Sequence, residues 1–122
     1  MRVLLDTSTF LWMDASEDKL STNAHSILED ETTTIYLSHI SIWEIQIKSQ
    51  LSKLQLRVPL PQLIREQTVK NNILLLQLTD SHIYGLSQLP HHHRDPFDRL
   101  LISQAITEDI TFITKDTHIL KY

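Results

Sequence analysis

Apolar residues along the chain fall into short continuous runs separated by longer stretches in which they recur every three or four positions. Continuous runs suit buried strands, and the wider spacing suits helices with one face turned inward. Arg2 to Leu5 is the first run and ends at Asp6; Thr7 or Ser8 then offers a helix cap ahead of Phe10, Leu11 and Trp12. A second helix is predicted over Thr22 to Glu29, followed by a strand at Ile35 to Leu37 behind a threonine run. Ser38 or Ser41 opens the next helix, in which Ile42, Ile45, Leu51 and Leu54 keep helical spacing and Lys48 and Lys53 are left for solvent. Pro61 suits the first turn of a helix leading into Gln62 to Lys70, and Asn71-Asn72 ends it before the run Ile73 to Leu78, which reads as a buried strand. Thr79 caps a helix reaching Leu89, Pro96 starts another reaching about Thr107, and Ile110 to Thr114 gives the fourth strand.

Short apolar strands alternating with helices predict an α/β fold. Its central sheet would be mainly parallel, of four or five short strands, and covered on both faces by right-handed crossovers. No internal repeat or low-complexity segment interrupts this order. At 122 residues the expected organisation is one domain spanning 1–122. Hydrophobic residues at 41% and charged residues at 21% place the chain among soluble folded proteins. The apolar stretch at the amino terminus is broken by Asp6 and Asp14, so neither a signal core nor a membrane span is expected there.

Composition also removes several chemistries. The chain has no cysteine, which excludes disulfides, thiolate metal sites and a cysteine nucleophile. A lone glycine, Gly85, leaves no room for a glycine-rich phosphate loop, so nucleotide-cofactor chemistry is not expected. A formal net charge of −4 argues against capture of nucleic acid by a general positive field; RNA, if bound, is expected at a local site.

Ligands in open α/β sheets sit beyond the carboxyl ends of the strands. Asp6 follows the first strand, Glu44 lies early in the helix after the second, and Asp116 follows the fourth. Asp95 and Asp98 open the helix that leads into that fourth strand. Carboxylates about 4 Å apart repel by roughly 4 kcal/mol at an effective dielectric near 20, so a convergent set calls for protons or cations. Mg²⁺ and Mn²⁺ prefer oxygen ligands and commonly bridge carboxylates to phosphates. Each acid also has a purely local reading. Ser41-Ile42-Trp43-Glu44 spells a capping box, Asp95-Pro96-Phe97-Asp98 an N-cap with proline and acid in the first turn, Asp6 an Asx turn, and Asp116 a cap before Thr117. Their joint position favours a site.

The segments LLDTSTFLW, SIWEIQIKSQLSKLQL, HHHRDPFDRLLISQA and TFITKD, in this order over nearly the whole chain, resemble PIN (PilT N-terminus) domains, and within them the VapC-type toxin ribonucleases of toxin–antitoxin pairs. The resemblance implies a PIN-like three-layer fold and a Mg²⁺- or Mn²⁺-dependent endoribonuclease, leaving a 5′-phosphate and a 3′-hydroxyl by in-line displacement. The metal-binding acids then fall on Asp6, Glu44, Asp98 and Asp116, with Asp95 a helix cap or outer partner. Ser8 and Thr114 become hydrogen-bonding supports, while Arg94, Arg99 and Lys115, close in sequence to the acids, offer either phosphate contacts or simple charge balance for the carboxylates. It also implies an antitoxin partner, a homodimer, a cytoplasmic location and no membrane association. His91, His92 and His93 are consecutive and cannot all face one ion, so they are placed on the pocket rim and not in a zinc site. The chain stops at Tyr122, where many relatives continue into a short final strand, so that edge strand is expected to be missing or cut short.

Two rival readings remain. The first is a catalytically inactive PIN-fold interaction domain. The second is an enzyme that forms an aspartyl-phosphate, such as a receiver or phosphatase; these carry a paired acid after the first strand, whereas Asp6 is followed by Thr7-Ser8-Thr9. Apolar Leu11, Trp12 and Trp43 offer either core or interface.

Overall fold

The computed structural model describes residues 1–90 and 95–114. The histidine run, Arg94, Lys115 and Asp116 lie outside these, as does the segment where a final strand was considered. Strand β1 (Arg2–Leu5) leads into α1 (Thr7–Ala15), a 3₁₀ turn (Glu17–Lys19) and α2 (Thr22–Glu29). Strand β2 (Thr34–Ser38) is followed by α3 (His39–Gln50) and α4 (Leu60–Lys70). Then come β3 (Leu74–Leu76), α5 (Asp80–Tyr84), a 3₁₀ turn (Gly85–Gln88), α6 (Pro96–Glu108) and β4 (Thr111–Ile113).

The strands form one parallel sheet in the order β3-β2-β1-β4. Because side chains alternate across a strand, the apolar runs feed two cores. Val3, Leu5, Ile35 and Leu37 join Phe10, Ile45, Leu60, Leu63 and Ile73 in one, while Leu4 packs with Ile40, Leu101, Ala105 and Ile110 in the other. The expected α/β architecture is therefore present, with helices on both faces.

The expected buried strand over Ile73 to Leu78 shrinks to Leu74–Leu76, and it is an edge. Only Ile73 is buried; Leu74 and Leu75 are exposed. An apolar run does not encode whether a second neighbour will cover it. The expected helix from Thr79 to Leu89 breaks into α5 and a 3₁₀ turn. Gly85 stands at the break, where an added Cβ would lie 2.5 Å from Ser103 Oγ. That hydroxyl is already committed, donating to the His82 carbonyl at 2.5 Å. Helix α3 stops before Leu54 because Ser52 takes a left-handed φ of 57°.

Candidate active site

The strand order reverses at β1: β2 and β3 lie on one side and β4 on the other. At such a switch point the loops leaving adjacent strands diverge and open a crevice at their carboxyl ends. Asp6 stands at the switch point, directly after β1. Its backbone N–H donates to the Ile113 carbonyl at 2.9 Å, which ties the exit of β1 to the end of β4. Neither Thr7 nor Ser8 caps α1; Asp6 does, its Oδ1 accepting from Thr9 N at 2.6 Å. Oδ2 accepts from Thr114 Oγ1 at 2.7 Å. The side chain is thus held from two elements while only 5% exposed.

Ser38, fully buried at the end of β2, caps α3 through its bond from Ile40 N at 3.0 Å. This corrects the capping-box reading of Ser41 and Glu44, which lie inside the helix and leave Glu44 without a capping task. The Glu44 side chain is instead turned inward, the residue being 4% exposed. Thr7 Oγ1 lies 2.7 Å from Glu44 Oε1 and 3.0 Å from Ser41 Oγ. A hydroxyl has one proton; given to the carboxylate, it leaves the Thr7 oxygen to accept from Ser41. Thr7, adjacent to Asp6, therefore couples the acid after β1 to the acid of α3.

A buried carboxylate needs a compensating cation. Lys48, one turn along α3, supplies it, with Nζ 2.5 Å from Glu44 Oε2. The hydrogen bond to Glu44 holds the Lys48 ammonium above its ordinary pKa, and the negative charges of Glu44, Asp95 and Asp98 push the same way, against partial burial. Lys48 thus feels acids from both α3 and the start of α6. It is the residue the sequence reading missed, and the signal was there: Glu and Lys at i and i+4 pair on a helix.

Asp95 caps α6, its Oδ1 accepting from Phe97 N at 2.8 Å and Asp98 N at 3.3 Å. Asp98 follows in the first turn. The start of α6 is held against α3 by an edge-to-face contact of Trp43 and Phe97, ring centres 5.0 Å apart, immediately before Glu44 and Asp98 in the chain. Arg99, a candidate phosphate contact, donates to the carbonyls of Pro90 at 3.0 Å and Leu86 at 3.4 Å, which ties α6 to the 3₁₀ turn and to Pro90 just beyond it. Ser8 lines a groove of about 380 Å³ with Leu11, Trp12, Lys19, Lys48 and Lys53.

Among the described residues, no three His, Cys, Asp or Glu side chains are gathered as a ready-made metal cage. The donor chemistry nevertheless suits a hard divalent ion. Asp6, Glu44 and Asp98 offer oxygen alone, and the Lys48 ammonium lies in the field of Glu44 and Asp98.

The PIN domain family model matches residues 3–122. The chain belongs to the PIN domain family. Among solved structures it is similar to VapBC2 from Rickettsia felis, crystallised with a DNA fragment from their promoter. The TM-score is 0.69 and the identity 18%, over 99% of this chain and 92% of that one. At that identity the likeness speaks for the fold. A comparison with curated protein sequences gives no match. Among the described residues of this PIN domain, no helix is long and apolar enough to cross a membrane.

Proposed function

We propose that this PIN domain, as a single unit over residues 1–122, is a divalent-metal-dependent endoribonuclease and the toxin of a toxin–antitoxin pair. The observation that carries the reading is the Thr7 link between two buried acids at the switch point of the sheet. Such acids are ill-suited to the surface solvation that explains most carboxylates.

Asp6, Glu44 and Asp98, with Asp116 beyond the described residues, would hold Mg²⁺ or Mn²⁺, and Asp95 would orient the turn that carries Asp98. When bound, the ion would activate water and stabilise charge on a phosphodiester during in-line displacement. The chain's own part is to fix the donors. Thr114 and the Thr9 amide hold Asp6, while Thr7, itself braced by Ser41, holds Glu44. The groove past Ser8 and Trp12, with Lys19 and Lys53 in its wall, gives an RNA strand a locally positive path and an aromatic face for a base. Arg94 and Lys115 would add phosphate contacts from the segments flanking α6 and β4.

The VapBC2 likeness supports an antitoxin as partner. Exposed Leu74 and Leu75 on the edge strand and Ile83 and Tyr84 on α5 support pairing with a second copy of the chain. One observation favours the interaction-domain alternative: Glu44 is already neutralised by Lys48. Product ends separate the two. Incubating the purified protein with pooled RNA and Mg²⁺ should yield fragments with 5′-phosphate and 3′-hydroxyl ends. Uncut RNA would support the interaction domain, and 2′,3′-cyclic phosphates would contradict a water-mediated mechanism.

A further inference from the structure

The two oxygens of Glu44 are used differently. Oε1 is held by Thr7 from the neighbouring helix, and Oε2 is covered by Lys48 from Glu44's own helix. The burial of the pair is unequal as well, with 5% of the Glu44 side chain exposed against 46% of the Lys48 side chain. Glu44 is anchored in the protein, whereas Lys48 reaches it on a flexible stem that can swing aside without opening the core. The ammonium also lies in the field of Asp95 and Asp98, the acids at the start of α6. From this geometry we propose that Lys48 is a resident counter-cation of the carboxylate rim. A divalent ion displaces it from Glu44 Oε2, and it then turns into the groove that it already lines.

This inference rests on the metal-dependent reading above and adds to it a built-in competitor that sets the metal affinity. Without metal, Lys48 keeps the buried acid compensated and the rim ordered. With metal, the same cation is released toward the groove, beside Lys53. Glu44 exchanges one partner for another, Thr7 keeps its bond throughout, and no covalent step is involved.

The test is Mn²⁺ binding, measured by calorimetry at pH 7.5 on wild type, Lys48→Met and, as a control for general charge, Lys53→Met. Breaking a hydrogen bond to a charged group is worth at least a factor of about ten. Lys48→Met should therefore bind Mn²⁺ on the order of tenfold more tightly. It should also melt lower than wild type in EDTA and gain more from Mn²⁺, while Lys53→Met binds like wild type. A folded Lys48→Met that binds Mn²⁺ no more tightly than wild type overturns the proposal and leaves the metal site standing. Equal tightening in Lys53→Met also overturns it, since general charge would then suffice. No binding by any of the three proteins overturns the metal reading and the proposal together. Should Lys48→Met fail to fold, the ammonium resonance of Lys48 in the wild-type protein decides. It should lose its hydrogen-bonded signature as Mg²⁺ is added, and an unchanged signal overturns displacement.

Discussion

Thr7 ranks with the acids because one hydroxyl orients Glu44 and, through the chain, sits beside Asp6. A bond to a charged group is worth about 1.5–3 kcal/mol, so Thr7→Val should lower kcat by roughly tenfold or more with a smaller change in KM. Thr7→Ser, which keeps the hydroxyl, should restore most of the rate. Steady-state cleavage of a fluorogenic RNA checks this, and an unchanged kcat in Thr7→Val would remove Thr7 from the account. The acids stood out in the sequence as candidates, but their hydrogen-bond partners did not. Ser38 and Ser41 compete for one cap on pattern alone, and the choice depends on β2 running to Ser38. Lys48 reads as a solvent lysine until the inward turn of Glu44 is known. Asp95 and Asp98 read alike in the sequence, and it takes the structure to show Asp95 accepting from the amides of Phe97 and Asp98 as the cap of α6.

At the scale of elements, α5 and α6 meet where a side chain at position 85 would collide with a committed hydroxyl. Gly85→Ala should destabilise the protein by about 1–3 kcal/mol, as overpacking generally does. Urea denaturation would show this as a lower midpoint with an unchanged slope; a neutral or stabilising result would mean that the Ser103 bond to the His82 carbonyl is dispensable. The same junction holds His82, fully buried, whose Nδ1 accepts from Thr79 N at 3.0 Å, leaving Nε2–H to donate to Glu108 at 2.8 Å. Helices and strands were legible here largely as to kind. Thr22–Glu29 agrees with its predicted bounds because Ser21 caps it and Asp30 ends it. The edge position of β3 was not legible, since a three-leucine strand looks the same in the middle of a sheet as at its border.

Across the whole molecule, the end of α1, the loop before α4 and α4 itself are joined by Arg57. Its guanidinium pairs with Asp14 at 2.9 Å and Glu66 at 2.5 Å. The hydrogen bond from Arg57 holds the Glu66 carboxyl below its ordinary pKa. A depressed folded-state pKa contributes stability above the unfolded value and loses it as pH falls through the folded one. Wild type should therefore lose melting temperature below the ordinary glutamate range, and Arg57→Met should lose less over the same interval. Parallel thermal melts from pH 7 to pH 3 check this; identical slopes would contradict a role for the cluster in acid stability.

The proposed activity is the cutting of RNA by acids at the sheet's switch point with a divalent ion. It is tested most directly by cleavage of pooled RNA with Mg²⁺, Mn²⁺ or EDTA, using wild type, Asp6→Asn, Glu44→Gln and Asp98→Asn. Cleavage is expected from wild type with metal alone, with losses of a hundredfold or more, on the order of 3 kcal/mol, in each variant. Cleavage that survives EDTA, or variants as active as wild type, would contradict this expectation.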